Sequence, residues 1–436
     1  MKQQLIFIEM NEINFDYVRN YCAAGELPAL GALLRDHQVV ETTSERDYDE
    51  LEPWIQWVTA HTGLTLGQHG IYRLGDIVKS DPEQIWEYLE KKGKAVGAIS
   101  PMNAKNRCEN PAFFMPDPWT EGEVIGSSLL KRLYRSVSQA VNDNAQSRIS
   151  AASAFWLFAG FARYARPSNY GRYLRYLAGA ARGRAWMKAL ILDLLIADIF
   201  HRLVKRDRPD FASVFLNAGA HIQHHYMFNS SAYDGALRNP EWYVAPGQDP
   251  VLDVYRLYDD IIGGTLRAFP HARLMIATGL HQDPHQATTF YWRLRDHAGF
   301  LARHGVPHRS VEPRMSRDFV VDCADADEAI AAEKRLLSIV SASGRPLFEV
   351  DNRGKDLFVM LTWPDDIGED FVYRVGNASY RDFRNDVSFV AIKNGQHNGV
   401  GYLIDTGRPA ESRPTIPLAE MPARICEALG TSWQAA

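Results

Sequence analysis

The stretch LEPWIQWVTAHTGLTLGQHGI, residues 51–71, decides how this chain is read. Pro53 fits the first turn of a helix, where a missing N–H costs nothing and the fixed φ is already helical. The helix runs on through Trp57 to Thr62-Gly63, and His69-Gly70 follows. Glu52 stands immediately before the proline, which holds it in a defined direction. Thr59 and Thr62 lie along the helix beyond its start, so both are poor nucleophile candidates.

Bulk properties bound the rest. A chain of 436 residues with 46% hydrophobic and 23% charged content is an ordinary globular protein with a sizeable core. A net charge of -5 argues against nucleic acid as a partner. Cys22, Cys108, Cys323 and Cys426 are scattered, which gives neither a disulfide framework nor a thiolate zinc site and fits a reducing compartment. The first apolar run is short and is interrupted by Glu9, so it reads as a strand rather than a signal peptide. No run of about 18 apolar residues is present to span a bilayer. The expected location is cytoplasmic, with peripheral membrane contact as a variant of it.

Strand and helix patterns alternate. QLIFIEM and AVGAIS are strands, with the amphipathic helix PEQIWEYLEKKGK before the second. Such alternation implies a mostly parallel sheet covered by helices. Five segments are expected: a first part of the α/β core at 1–125, a basic helical insertion at 126–208, a second part of the core at 209–315, a small α+β insertion at 316–385, and a return to the core at 386–436. The insertion at 126–208 holds 15 Lys/Arg against 4 Asp. It is a solvated helical face, a basic cap over the site, or a face for anionic lipid or a lipid-linked substrate. In the α+β segment, Asn352-Arg353-Gly354 reads as a hairpin turn.

Four pieces end predicted strands or open helices: IEMNEINFDYV, the stretch quoted first, NAGAHIQHHYMF with ATGLHQDPH, and NGQHNGVGYLIDTG. In an open α/β sheet such loops gather at one crevice. In their order and spacing these pieces resemble the alkaline phosphatase superfamily, most closely its type I phosphodiesterase/nucleotide pyrophosphatase branch. Thr62-Gly63, His69-Gly70, the strand leading to His224, and the G-x-H at His397 carry the resemblance. It implies an alkaline-phosphatase-like α/β sandwich and hydrolysis or transfer at a phosphate or sulfate ester, with two divalent ions held by Asp and His.

The chain departs from that pattern where the charges belong. The first-strand Asp falls on Asn11 and the nucleophile on Pro53, nine residues before Thr62. The Asp of D-x-x-x-H falls on Ala220, and a later Asp on Gly279 or Leu280. Two cations about 4 Å apart need anionic ligands, so at most one zinc or manganese ion is expected, or none. Its expected ligands are His224, His281 and His397, with a carboxylate from Glu9, Glu12 or Glu52 to complete the set, and with His224 and His397 in one site. Glu52, Glu9, Asn11 and Glu12 are the catalytic candidates. Glu9 shares a strand face with Asn11 and is either paired with Arg or His or functional. Glu52, next to the vacant nucleophile slot, can attack, act as base or bind metal. Gln56, Trp54, His221 and Arg73 are candidates for substrate binding, and Arg73 alternatively pairs with Asp76.

The leading function is an atypical hydrolase or transferase of an anionic, glycan- or lipid-linked phospho- or sulfoester. The alternative is a catalytically inactive member that binds such a ligand as an assembly factor.

Overall fold

The computed structural model describes residues 4–45, 47, 50–120, 122–142, 150–314, 317–408 and 415–434. Its first six strands are β1 (Leu5–Met10), β2 (Val39–Thr43), β3 (Val96–Ile99), β4 (Phe113–Met115), β5 (Phe211–Leu216) and β6 (Arg273–Ala277). The chain then follows β7 (His281–Leu294) and passes through β8 (Ser310–Pro313), β9 (Asp318–Asp322), β10 (Ile339–Ser341), β11 (Phe348–Asn352), β12 (Asp356–Leu361), β13 (Tyr373–Val375) and β14 (Ala378–Tyr380). It returns along β15 (Val387–Asn398) and ends with β16 (Val400–Asp405) and β17 (Thr415–Pro417). The helices are α1 (Phe15–Ala23), α2 (Pro28–Asp36), α3 (Pro53–Thr62), α4 (Leu66–His69), α5 (Ile85–Lys91), α6 (Ser128–Asn142), α7 (Ala151–Tyr164), α8 (Tyr170–Ala181), α9 (Met187–Asp207), α10 (Ala218–Tyr226), α11 (Pro250–Ala268), α12 (His297–Arg303), α13 (Ala326–Leu337), α14 (Phe383–Asp386) and α15 (Met421–Ala428).

The main sheet has eight strands in the order β17-β2-β16-β6-β1-β5-β3-β4. All run the same way except β16, which is antiparallel to both β2 and β6. LIFIEM of β1 is buried at every position, as a central strand covered on both faces must be. Its side chains alternate between two cores. Ile6, Ile8 and Met10 join the core shared with α1, α2 and α8 to α11. Leu5 and Phe7 join the core shared with α3, α5 and α15. The result is an α/β sandwich with a mostly parallel sheet, as the sequence implied.

Residues up to Val141, those of 150–284 and those from Gly395 onward form one compact unit, and His285–Asn394, with Asn142, form a second. The second unit is wider than the expected 316–385, because Trp292, Leu294, Phe300 and Val387, all outside that range, share its core. It contains the four-stranded sheet β11-β12-β9-β8 and the three-stranded sheet β10-β13-β14. The β11–β12 hairpin turns at residues 352–354, with Gly354 at φ 92.

The insertion at 126–208 is helical where it is described, from α6 to α9. Its polar anchors are buried carboxylates. Asp198 on α9 accepts from Arg166 N at 2.8 Å, Arg166 Nε at 2.6 Å, Asn169 Nδ2 at 2.7 Å and Tyr173 OH at 3.1 Å, which pins the α7–α8 corner. Asp193, also on α9, accepts from Ala218 N at 2.8 Å and Tyr258 OH at 2.7 Å, and so fastens the start of α10. Burial pushes the Asp193 carboxyl up to about 6, against the opposing hydrogen bonds from Ala218 and Tyr258.

The pH dependence follows from that direction. The folded protein keeps a proton on Asp193 that the unfolded chain loses above about pH 4, so stability falls as pH rises from about 4 to 6. Asp193→Asn keeps an acceptor and removes the ionisation. Urea unfolding across this window should show the difference between the two proteins changing by about 3 kcal/mol. Parallel curves would mean that Asp193 ionises as freely as in the unfolded chain.

Candidate functional site

β1 ends at Met10, and the next two residues turn sharply. Asn11 N donates to Leu216 O at 3.0 Å and Glu12 N to Thr278 O at 3.1 Å, so the turn is clamped between the ends of β5 and β6. Glu12 has φ 62, in the left-handed region that a residue with a Cβ enters at a cost of about 1–2 kcal/mol. Gln223 Nε2 at 2.6 Å and Gln282 N at 3.2 Å both donate to its carbonyl and hold it there. This conformation carries Glu12 away from the strand's own alternation and into the crevice.

The Glu12 carboxylate is buried. Oε1 accepts from Asn11 Nδ2 at 3.0 Å. Oε2 accepts from Gln282 Nε2 and lies 3.2 Å from His224 Nε2 and 3.1 Å from His397 Nε2. The two imidazole rings meet edge to face, with centroids 5.2 Å apart. Burial raises the carboxyl's pKa, but His397 and His224 together more than offset it and hold the group well below the usual carboxylate range. Glu12, His224 and His397 form a three-ligand cluster, with the ligand atoms within 4.8 Å of one another. A tetrahedral zinc with bonds of about 2.0–2.1 Å spaces its ligand atoms about 3.3 Å apart, close to the separations here. One carboxylate oxygen and two imidazole nitrogens suit zinc or manganese chemistry.

The surroundings position this cluster. Trp57 Nε1, which can only donate, points at Asn11 Oδ1 at 2.7 Å and so fixes the amide's orientation. Asn11 Nδ2 then donates to Glu12 Oε1 and, at 2.8 Å, to Asn217 Oδ1. Asn11 is therefore a neutral brace for Glu12. Gly395 lets β15 pass close by, since a Cβ there would fall on Gln282 Oε1. Glu52 precedes α3 in extended backbone, with Pro53 as the first helical residue. Its side chain is 37% exposed, and Oε2 lies 3.9 Å from His397 Nδ1, the ring nitrogen turned away from Glu12.

Several sequence expectations change. His281 is not in the cluster, because its Nδ1 meets Val400 O and its Nε2 meets Asp283 Oδ1 at 3.1 Å. Asp283 also accepts from Asn398 Nδ2 at 2.7 Å, so His281 fixes the β15–β16 turn that carries His397. Glu9 is fully buried beneath α3 and pairs with His61 Nε2 at 3.1 Å, so it does not reach the crevice. Gln56 is fully buried as well. It donates to Glu50 O at 2.7 Å and accepts from Glu45 N at 3.4 Å, which makes it a brace for the loop before α3. Trp54 donates to Tyr72 O at 3.2 Å. Arg73 is exposed, its carbonyl accepts from Asn103 Nδ2 at 3.2 Å, and no ion pair joins it to Asp76 among the described residues. His221 is exposed on α10, with its ring 5.2 Å from that of His225. His69 is structural. Its Nδ1 accepts from Ile71 N at 3.0 Å, its Nε2 faces Thr59 Oγ1 at 3.3 Å, and burial lowers its pKa to about 4.

Asn217, Gln223, Gln282 and Asp283 escaped the sequence reading. Asn217 had a signal: it precedes His221 by the same four residues that separate Ala220 from His224. β5 ends at Leu216, so Asn217 occupies the strand-end position, whereas Ala220 lies inside α10.

The cluster makes a direct prediction about metal affinity. Glu12→Gln removes the anionic ligand but keeps its shape, and zinc binding measured by calorimetry should weaken at least about 100-fold. Gln56→Ala should leave it within about threefold. Equal zinc affinity in Glu12→Gln would remove Glu12 from the ligand set.

The family model for type I phosphodiesterase / nucleotide pyrophosphatase matches residues 5–281. No curated protein matches the chain. Similar solved structures include phosphonoacetate hydrolase from Sinorhizobium meliloti 1021 in complex with phosphonoformate, at 11% identity over 99% of this chain and 96% of that one, with a TM-score of 0.45. Murine ectonucleotide pyrophosphatase / phosphodiesterase 5 in complex with AMP follows at 10% identity over 100% and 97%, with a TM-score of 0.44. Wild type alkaline phosphatase PafA has 10% identity over 98% and 95%, with a TM-score of 0.47. The matched segment is more than half of the 436 residues and contains Glu12, Glu52 and His224. The chain belongs to the type I phosphodiesterase / nucleotide pyrophosphatase family.

Proposed function

We propose that this chain is a hydrolase or transferase of an anionic phospho-type ester that works with one divalent ion. The observation that carries the proposal is the convergence of Glu12, His224 and His397 at one end of the sheet. A zinc or manganese ion held there would supply Lewis acidity toward an ester oxygen and lower the pKa of a water. Glu12 contributes the negative charge, and Asn11 and Gln282 fix its two oxygens. Glu52 is the ionisable group beside the vacant nucleophile position. Its carboxylate takes a proton from an attacking water or alcohol and leans on His397 Nδ1. Since Pro53 offers no nucleophile, the attacking group comes from outside position 53. The exposed basic residues of 126–208 favour an anionic substrate, and a glycan- or lipid-linked ester fits that charge.

Turnover tests this reading. The purified protein, with zinc or manganese added, is assayed against phosphate and sulfate mono- and diesters. Metal-dependent cleavage of a phosphoester is expected, and Glu52→Gln should lower kcat about 100-fold or more while the metal content stays the same. Full activity in Glu52→Gln would give its role to another group. One bound ion with no turnover across the panel would favour the ligand-binding alternative, which the neutral Asn11 and Asn217 already suit.

A further inference from the structure

Two helices of the insertion turn apolar side chains toward solvent. α7, AASAFWLFAGFARY, has a single charged residue. Phe155 and Phe158 on it are 58% and 70% exposed. On α8, Tyr170, Leu174 and Leu177 are 44%, 67% and 51% exposed. Their spacing of four and then three residues puts them on one stripe. A helix packed on a protein surface normally keeps a polar face outward, whereas these two carry apolar side chains outward as well as inward, where Tyr164, Tyr173 and Tyr176 join the core. Phe161 joins the two helices, stacking on Tyr170 at 6.3 Å and meeting Tyr173 edge-on at 4.7 Å. Asp198 pins the corner between them, so the platform is built rather than loose.

Along the sequence of these two helices the charge has one sign. Residues 150–192 hold seven Arg and Lys and no Asp or Glu. Arg166 and Arg172 are used on Asp198 and Asp260. Arg163, Arg175, Arg182, Arg184 and Lys188 are exposed, and none has a carboxylate partner among the described ion pairs. No helix among the described residues is long and apolar enough to cross a membrane. We infer that α7 and α8 form a docking surface for an anionic lipid bilayer, with Phe155, Phe158, Leu174 and Leu177 in the headgroup–acyl boundary and the basic residues on the headgroups. Exposed apolar residues and a polybasic rim are the two signals that stable interfacial binding needs. A second copy of the chain fits the face poorly, because a two-fold contact would set these basic residues against themselves. The inference does not depend on the proposed chemistry.

The test is flotation of the intact protein with vesicles of phosphatidylcholine, with or without phosphatidylserine, at low salt. Each exposed basic residue near an anionic surface is worth roughly fivefold in partitioning, so the serine-lipid vesicles should bind at least about tenfold more protein. Combining Phe155→Ser, Phe158→Ser, Leu174→Ser and Leu177→Ser should cut that binding at least about tenfold while leaving thermal unfolding and zinc affinity unchanged. Combining Arg182→Gln, Arg184→Gln and Lys188→Gln should remove most of the lipid-charge preference and its salt sensitivity. Wild-type binding equal on both vesicles, or undiminished binding by the serine variant, would overturn the inference. So would light scattering that shows a wild-type dimer turned monomeric by the serine substitutions, without vesicle binding.

Discussion

The site depends on one carboxylate held in an unfavourable backbone conformation. Glu12 sits at φ 62 just beyond the central strand, where Thr278, Gln223 and Gln282 clamp its backbone. That turn brings a negative charge to His224 from α10 and His397 from β15, elements 212 and 385 residues further along the chain. Without it the two imidazoles would share a pocket with no buried counter-charge. Strain of this kind persists where the surrounding structure over-determines it, and such positions cluster at functional sites.

The same turn explains why the site suits a single ion. Two divalent cations about 4 Å apart repel by roughly 17 kcal/mol at an effective dielectric of about 20. Anionic ligands must offset that. Here Asn11 and Asn217 are hydrogen-bonded to each other, and Trp57 locks Asn11 from the far side. Position 53, where the sequence reading placed the family's nucleophile, is a proline that starts α3. One buried carboxylate offsets half the charge of one divalent ion but only a quarter of the charge of two. The insertion supports this geometry from a distance, since Asp193 on α9 holds the first turn of the helix that carries His224.

Much of the fold could be read from the sequence because its signals are local. The continuous apolar run of β1, the proline that opens α3, the helical insertion and the Gly354 hairpin turn each depend on a few neighbouring residues. The nearness of His224 and His397 was legible from motif spacing. Glu12 was one of three carboxylates that the sequence offered beside the histidines, and singling it out from Glu9 and Glu52 depends on the sign of a single φ. His281 looked like a ligand in sequence, but Val400 and Asp283 occupy both its ring nitrogens. Gln56 and Glu9 looked available for chemistry until the packing of α3 on the sheet buried both. The outward apolar stripes of α7 and α8 were hidden too, since an apolar sequence does not say which side of a helix meets the protein.

The most direct test of the central claim is anomalous scattering at the zinc edge from crystals grown with zinc. The account predicts one peak per chain, within about 2.0–2.2 Å of a Glu12 carboxylate oxygen, His224 Nε2 and His397 Nε2. Two peaks at the site, or a peak that leaves Glu12 bonded only to Asn11 and Gln282, would contradict it.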